Sequence, residues 1–409
     1  MIQQPELKKR SRLIVEAMDQ RHESQQWEEF IVAMLSALEL PAEKYEAAKK
    51  RYEELGRHVA RKLGVGEDNV HVVVQGSMRT QTTIAGDGRE NFDLDVVVKL
   101  SGPHFEGQRE SEPFFKQFGV SLEGLEGSGK PDSKSRCWRL PYPGEPFYFD
   151  VTPAIPMSAE ITGTDLRVRD PIKTWSPSNP EEFADWFCDI AKSRFPFQNK
   201  QLRKIIAMDE VHIDPLPKER IRIDDILRRI VQLMKLHRDS YYKQQADTRK
   251  ECKPISVILV TLATKAYKEI VTSEAHLYSS AIEVALEIVD RMPKFIQREP
   301  LAIRVDNPAL SGRLGENFAD KWNSDGGLRE REFSAWHLQL KQDLDALFTE
   351  EYSSRSENRI RGVFGEKGVR AWQESLPQNI LSGLLSSAPT QSKNQPQAPR
   401  PAGYRNSLA

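Results

Sequence analysis

The chain has 409 residues, 38% of them hydrophobic and 29% charged, with a formal net charge of −1. That length buries a full core and predicts more than one subdomain. The near-neutral balance argues against a protein whose main work is gripping nucleic-acid backbone, which calls for a basic excess, while leaving room for a local basic cleft. Cys137, Cys188 and Cys252 lie far apart, with no CxxC or Cys/His cluster, so reduced thiols are expected rather than a structural zinc. No run approaches the ~20 apolar residues that span a bilayer, and the first residues lack the apolar core of a signal peptide. Cytoplasmic residence is the expectation.

Residues 1–65 read as mostly helix. Ile31, Met34, Leu35 and Leu38 recur at helical spacing; Pro41 interrupts, and a Lys/Glu/Arg-rich helix resumes over 42–63 and stops at Gly64. Two strands follow, Val72–Val74 and Phe92–Val98, with Gly86-Asp87-Gly88 as a turn between them. Residues 101–135 are loop-rich, and the glycines at 124, 127 and 129 read as a surface loop, since no Gly-Lys-Ser/Thr follows. Strands are expected at Cys137–Leu140 and Pro146–Thr152. Thr174–Pro180 reads as a turn-rich junction, followed by an amphipathic helix from Glu181 to Arg194. Beyond about residue 195 the pattern is helical: Arg220–Lys243, Pro254–Glu269, Leu277–Arg291 and Glu330–Phe348, with an irregular connection over 302–327. Residues 386–409 are rich in Ser, Gln and Pro with no acidic residue, and read as a disordered tail.

The chemistry concentrates near the front. Alternate residues of a strand share a face, so Asp93 and Asp95 stand together, roughly 6.6 Å apart at a rise of ~3.3 Å per residue. Adjacent carboxylates repel unless a proton or cation intervenes, and Mg²⁺ prefers a few hard oxygens plus substrate phosphates. Asp150 lies mid-strand, opposite the apolar face of Phe147, Phe149 and Val151. A third carboxylate there allows two ions for a phosphoryl displacement. Gly76-Ser77 ends the preceding strand, and its backbone and hydroxyl suit the outer phosphates of a triphosphate.

Gln75-Gly76-Ser77-Met78-Arg79-Thr80, then Phe92-Asp93-Leu94-Asp95-Val96-Val97-Val98, then Asp150-Val151-Thr152-Pro153 resemble the DNA polymerase β-like nucleotidyltransferase superfamily. Within it the chain is similar to the cGAS/DncV-like nucleotidyltransferases (CD-NTases), the bacterial relatives of cyclic GMP-AMP synthase. Asn307-Pro308 and Glu316-Asn317-Phe318-Ala319-Asp320-Lys321-Trp322 carry the resemblance into the helical half, so that it covers about residues 30–350. It implies an α+β, two-lobed enzyme with a mixed-sheet catalytic core and a helical C-terminal lobe. The expected organisation is 1–65 as N-terminal helices packing on the core, 66–180 as the catalytic core, 181–385 as the helical lobe and 386–409 as the tail. It implies a synthase that joins NTPs, ATP among them, into a cyclic di- or trinucleotide second messenger for anti-phage (CBASS) defence. Asp93, Asp95 and Asp150 match the metal and catalytic aspartates for two Mg²⁺ ions, with Mn²⁺ as a substitute. Gln75, Gly76 and Ser77 match the nucleotide-binding loop, and Lys235 and Ser256 the phosphate-binding lysine and serine of the helical lobe. Val257 replaces the base-stacking aromatic of animal members, and no zinc insertion is present, so no obligate nucleic-acid activator is implied. In many operons of this family a ubiquitin-activating-like protein conjugates the synthase C-terminus, which makes Ala409 a candidate attachment point. The rival readings are a linear nucleotidyltransferase acting on RNA or protein, and a catalytically inactive binding module.

Overall fold

The computed structural model describes residues 9–84, 92–157, 165–197, 225–310, 315–352 and 356–375. The Gly86–Gly88 turn, the start of the Arg220–Lys243 helix and the tail with Ala409 lie outside these.

Among the described residues the first half is a seven-stranded mixed sheet. β1 (Val70–Val74) runs antiparallel to β2 (Phe92–Leu100), and β2 runs parallel to β5 (Phe147–Pro156). β5 carries two antiparallel neighbours on its other edge: β4 (Trp138–Pro141), flanked by the short β3 (Asp132–Ser133), and then β6 (Leu166–Asp170). β6 pairs with β7 (Thr174–Ser178). β2 alternates as expected: Phe92, Leu94 and Val96 are buried, while Asp93 and Asp95 face the other way. Phe147, Phe149 and Val151 of β5 are also buried. Tyr52, on the helix Ala42–Leu63, stacks on Phe149 at a centroid distance of 4.4 Å. Burying each of these aromatics contributes about 2–3 kcal/mol.

Two expectations for this half need correction. The segment 101–135 is not simply loop: Ser111–Ser121 is a helix, with Phe114, Phe115 and Phe118 buried. Pro113 sits in its first turn, where a missing N–H leaves no bond unmade. Gly119 packs against Trp138; a Cβ there would lie 2.2 Å from the indole. Thr174–Ser178, taken as a turn-rich junction, is strand β7. Its Pro177 is tolerated because β7 is an edge strand with β6 as its partner.

The second half is helical, around a core of its own. The helix Pro180–Ala191 is capped by Asn179, whose side chain accepts from Glu182 N–H at 3.1 Å. Ile226–Lys243 is buried along most of its length. Ser256–Ser273 begins after Pro254 and Ile255, later than expected, and runs past Glu269. Ala281–Arg291 starts where Ser280 caps it, which leaves Ala275–Leu277 as a separate 3₁₀ turn. Between residues 297 and 327 lie a short hairpin, β8 (Gln297–Glu299) with β9 (Ala302–Arg304), and a helix, Asp320–Ser324. Leu328–Thr349 and Ser356–Ser375, the latter kinked at Gly365, complete this half.

The N-terminal residues do not act as one unit. Arg10–Gln20 and Ser24–Ala37 place Val15, Met18, Trp27 and Phe30 in the helical core. Ala42–Leu63 instead places Tyr52, Leu55 and Val59 on the sheet. Pro41 divides the two allegiances. Among the described residues no helix is long and apolar enough to cross a membrane.

Candidate active site

A cleft of about 720 Å³ lies where the sheet meets the helical half. Gln75, Gly76, Ser77, Asp93, Asp95, Lys235 and Ser256 all line it. Asp150 is brought alongside but is not among the lining residues.

The floor follows from strand register. Asp95 pairs with Asp150 across β2 and β5, and Asp150 pairs with Arg139 across β5 and β4. These three side chains therefore stand in a row across three strands. Arg139 donates to both oxygens of Asp150, at 2.8 and 2.7 Å, and lies 4.0 Å from the centre of the Tyr148 ring. This bidentate grip was not foreseen, because pairing across strands is invisible to local patterns. The available hint was a charged residue inside the Cys137–Leu140 strand.

Burial and repulsion from neighbouring carboxylates (Asp95 and Asp150 on Asp93, Asp150 on Asp95) push the aspartates up, Asp93 to about 8 and Asp95 to about 6. Burial and the same carboxylates push the Cys137 thiol up to about 12, leaving it a poor nucleophile. A carboxylate pair this reluctant to ionise alone, opening on a cleft, suits a divalent cation. Among the described residues no group of three or more His, Cys, Asp and Glu is arranged as a ready cage. Asp93 and Asp95 fit a cation as they stand, and Asp150, gripped by Arg139, also lies within hydrogen-bonding reach of Asp93.

Gly76 locks the loop to this floor. Its φ is +61°, and a Cβ there would lie 2.2 Å from Asp95 Oδ2. Gln75 N–H donates to the Asp95 carbonyl at 3.1 Å. Ser77 follows in the short turn Gly76–Arg79, and its Oγ accepts from the Thr83 hydroxyl at 3.3 Å.

The roof is basic. Lys235 Nζ donates to the carbonyl and hydroxyl of Thr82, both at 3.0 Å. Burial, with Arg238 beside it, pushes Lys235 down to about 7. Arg238, at i+3 on the same helix, donates to Ser256 Oγ at 2.9 Å and to the Pro254 carbonyl at 3.0 Å. Asp239 bridges Arg238 and Lys253. Arg238 and Lys253 line the cleft too and were missed, since single cations on a helix and a turn look like ordinary solvated charges. At the far wall, Glu316 accepts from Asn307 Nδ2 at 2.9 Å, and burial pushes it up to about 7.

No protein-family model matches the chain. A c-di-GMP synthase from Roseivirga ehrenbergii is 27% identical over 373 residues, covering 88% of this chain and 90% of that one. The structure of the Bradyrhizobium diazoefficiens CD-NTase CdnG, in complex with GTP, superposes with a TM-score of 0.62 at 20% identity, covering 85% of this chain and 98% of that one. The chain has the fold of that CD-NTase. The expected α+β architecture, a mixed sheet followed by a helical C-terminal region, is thus the one found. Within that CD-NTase fold, the cleft just described is the junction of the two lobes.

Proposed function

We propose that this cleft joins nucleoside triphosphates into a cyclic oligonucleotide. The observation that carries the reading is the pairing of Asp93 and Asp95 on one cleft wall with Ser77 and the Lys235–Arg238 roof facing them. A hydroxyl of one nucleotide attacks the α-phosphate of another, and pyrophosphate leaves. Asp93 and Asp95 would hold Mg²⁺, which when bound would offset the charge on the reacting phosphates. Ser77, Lys235 and, through Arg238, Ser256 bind the outer phosphates, where charge-assisted hydrogen bonds are strongest. Asp150, fixed by Arg139, is oriented beside Asp95 to accept the proton of the attacking hydroxyl. The c-di-GMP product of the relative and the GTP held by CdnG favour GTP as a substrate, with ATP the other candidate. A role in anti-phage defence and conjugation at Ala409 belong to the same proposal. Conjugation predicts a branched C-terminal peptide in protein isolated from its native host, detectable by mass spectrometry.

The test is incubation with labelled GTP or ATP and Mg²⁺ or Mn²⁺, followed by phosphatase. A phosphatase-resistant small product is expected. A labelled macromolecule instead indicates a linear transferase. No turnover, with Asp93→Ala/Asp95→Ala indistinguishable from the wild type, points to an inactive binding module.

A further inference from the structure

Three side chains on one face of the Ile226–Lys243 helix reach the same short turn. Arg228 Nε donates to the Thr80 carbonyl at 2.8 Å, Gln232 Nε2 to the Thr83 carbonyl at 3.4 Å, and Lys235 Nζ to the Thr82 carbonyl at 3.0 Å. The spacing i, i+4, i+7 aligns them along the helix. The turn they hold is not relaxed: Gln81 has φ +55°, unfavourable for a residue with a Cβ. Such a conformation persists where its surroundings over-determine it. Inside the turn, the Thr80 and Thr82 hydroxyls pair at 2.9 Å, and Thr82 N–H donates to the Ser77 carbonyl at 2.8 Å. Thr83 then donates its hydroxyl to Ser77 Oγ. A serine oxygen that accepts this bond keeps its own proton for another acceptor. On the reading above, that acceptor would be a phosphate of the substrate.

We propose that Gln232 and Thr83 are positioning residues that aim the Ser77 hydroxyl at the triphosphate. Gln232 is fully buried and its amide also donates to Glu39 at 3.0 Å, so its grip on Thr83 is itself fixed. The helical lobe thereby sets the orientation of a ligand on the sheet side, before any nucleotide arrives. This rests on the reading of Ser77 as a phosphate ligand.

The test separates the two claims. Binding of Mg²⁺ with a non-hydrolysable GTP analogue is titrated by calorimetry for Ser77→Ala, Thr83→Val, Thr83→Ser and the Ser77→Ala/Thr83→Val double variant, with wild type alongside. Removing a hydrogen bond to a charged group predicts about tenfold weaker binding for Ser77→Ala and about fivefold for Thr83→Val. Thr83→Ser keeps the hydroxyl and stays within about twofold of wild type. The double variant binds no more weakly than Ser77→Ala, because Thr83 acts through that serine. Wild-type binding by Ser77→Ala removes the phosphate-ligand reading, and the positioning role with it. Weak binding by Ser77→Ala with wild-type or additive behaviour of Thr83→Val overturns the positioning role alone.

Discussion

Replacing Gly76 with alanine probes the tightest contact in the site. The residue sits at φ +61°, where a Cβ costs about 1–2 kcal/mol. The new Cβ would lie 2.2 Å from Asp95 Oδ2 and 3.0 Å from its Cγ, so the carboxylate must swing away. Pushing a half-buried side chain off its rotamer adds about 0.5–1.5 kcal/mol. The sum, about 1.5–3.5 kcal/mol, is a melting-point decrease of several degrees. The functional loss is larger, because displacing a reacting group by ~1 Å lowers rates about a hundredfold. Thermal unfolding and nucleotidyl-transfer rates, measured for Gly76→Ala, Asp95→Ala and the double variant, test this. In the Asp95→Ala background the carboxylate clash is gone and only the 3.1 Å contact with the Cβ at 95 remains, so the alanine should retain the backbone cost and lose most of the remainder. Wild-type activity in Gly76→Ala, or an undiminished stability loss in the double variant, refutes the geometry.

Arg139→Met removes the cation from three neighbouring carboxylates. The metal-free protein should lose about 2–4 kcal/mol, and Mg²⁺ should restore part of it; an unchanged melting point counts against the Asp150 ion pair. Asp93 and Asp95 are raised above ordinary carboxylate values, so their stabilisation is present at low pH and is lost as pH rises through about 6 and about 8. The metal-free protein should therefore melt lower at pH 8.5 than at pH 5.5. Mg²⁺ affinity should rise up to about tenfold per pH unit between 6 and 8, as bound protons are displaced; a flat affinity profile over that interval is the contrary result. Lys235→Met, which removes the donor to Thr82, should lower kcat/KM for the triphosphate at least about tenfold. Equal steady-state constants for variant and wild type argue that the roof does not touch phosphate.

The shared face of Asp93 and Asp95 was legible because strand periodicity is local: two residues along means the same face; Asp150's place beside them depends on the register of β5 against β2. Gly76 was legible as a close-approach glycine, though what approaches it is Asp95 itself as well as any ligand. Arg139 was not, since its partner is 11 positions away and chosen by the pairing of β4 with β5. Arg228 and Gln232 look like the polar stripe of an amphipathic helix; their targets lie 148 and 149 residues earlier. The helix Ser111–Ser121 hid behind its proline and glycine, and β7 behind Pro177. Helices in the second half were readable from their apolar spacing, and their ends shifted by a few residues where a cap such as Ser280 took over.

The row formed by Asp95, Asp150 and Arg139 also bears on assembly errors. A one-residue slip of β5 against β2 would turn Asp150 inward among Tyr52, Leu94 and Tyr142 and throw Phe149 out to water. A carboxylate stranded there without Arg139 would cost several kcal/mol, a large share of any domain's stability. The misaligned sheet is therefore not a durable impostor. In a preparation of this protein, the fraction that melts cooperatively and the fraction that takes up metal and nucleotide should be one and the same population.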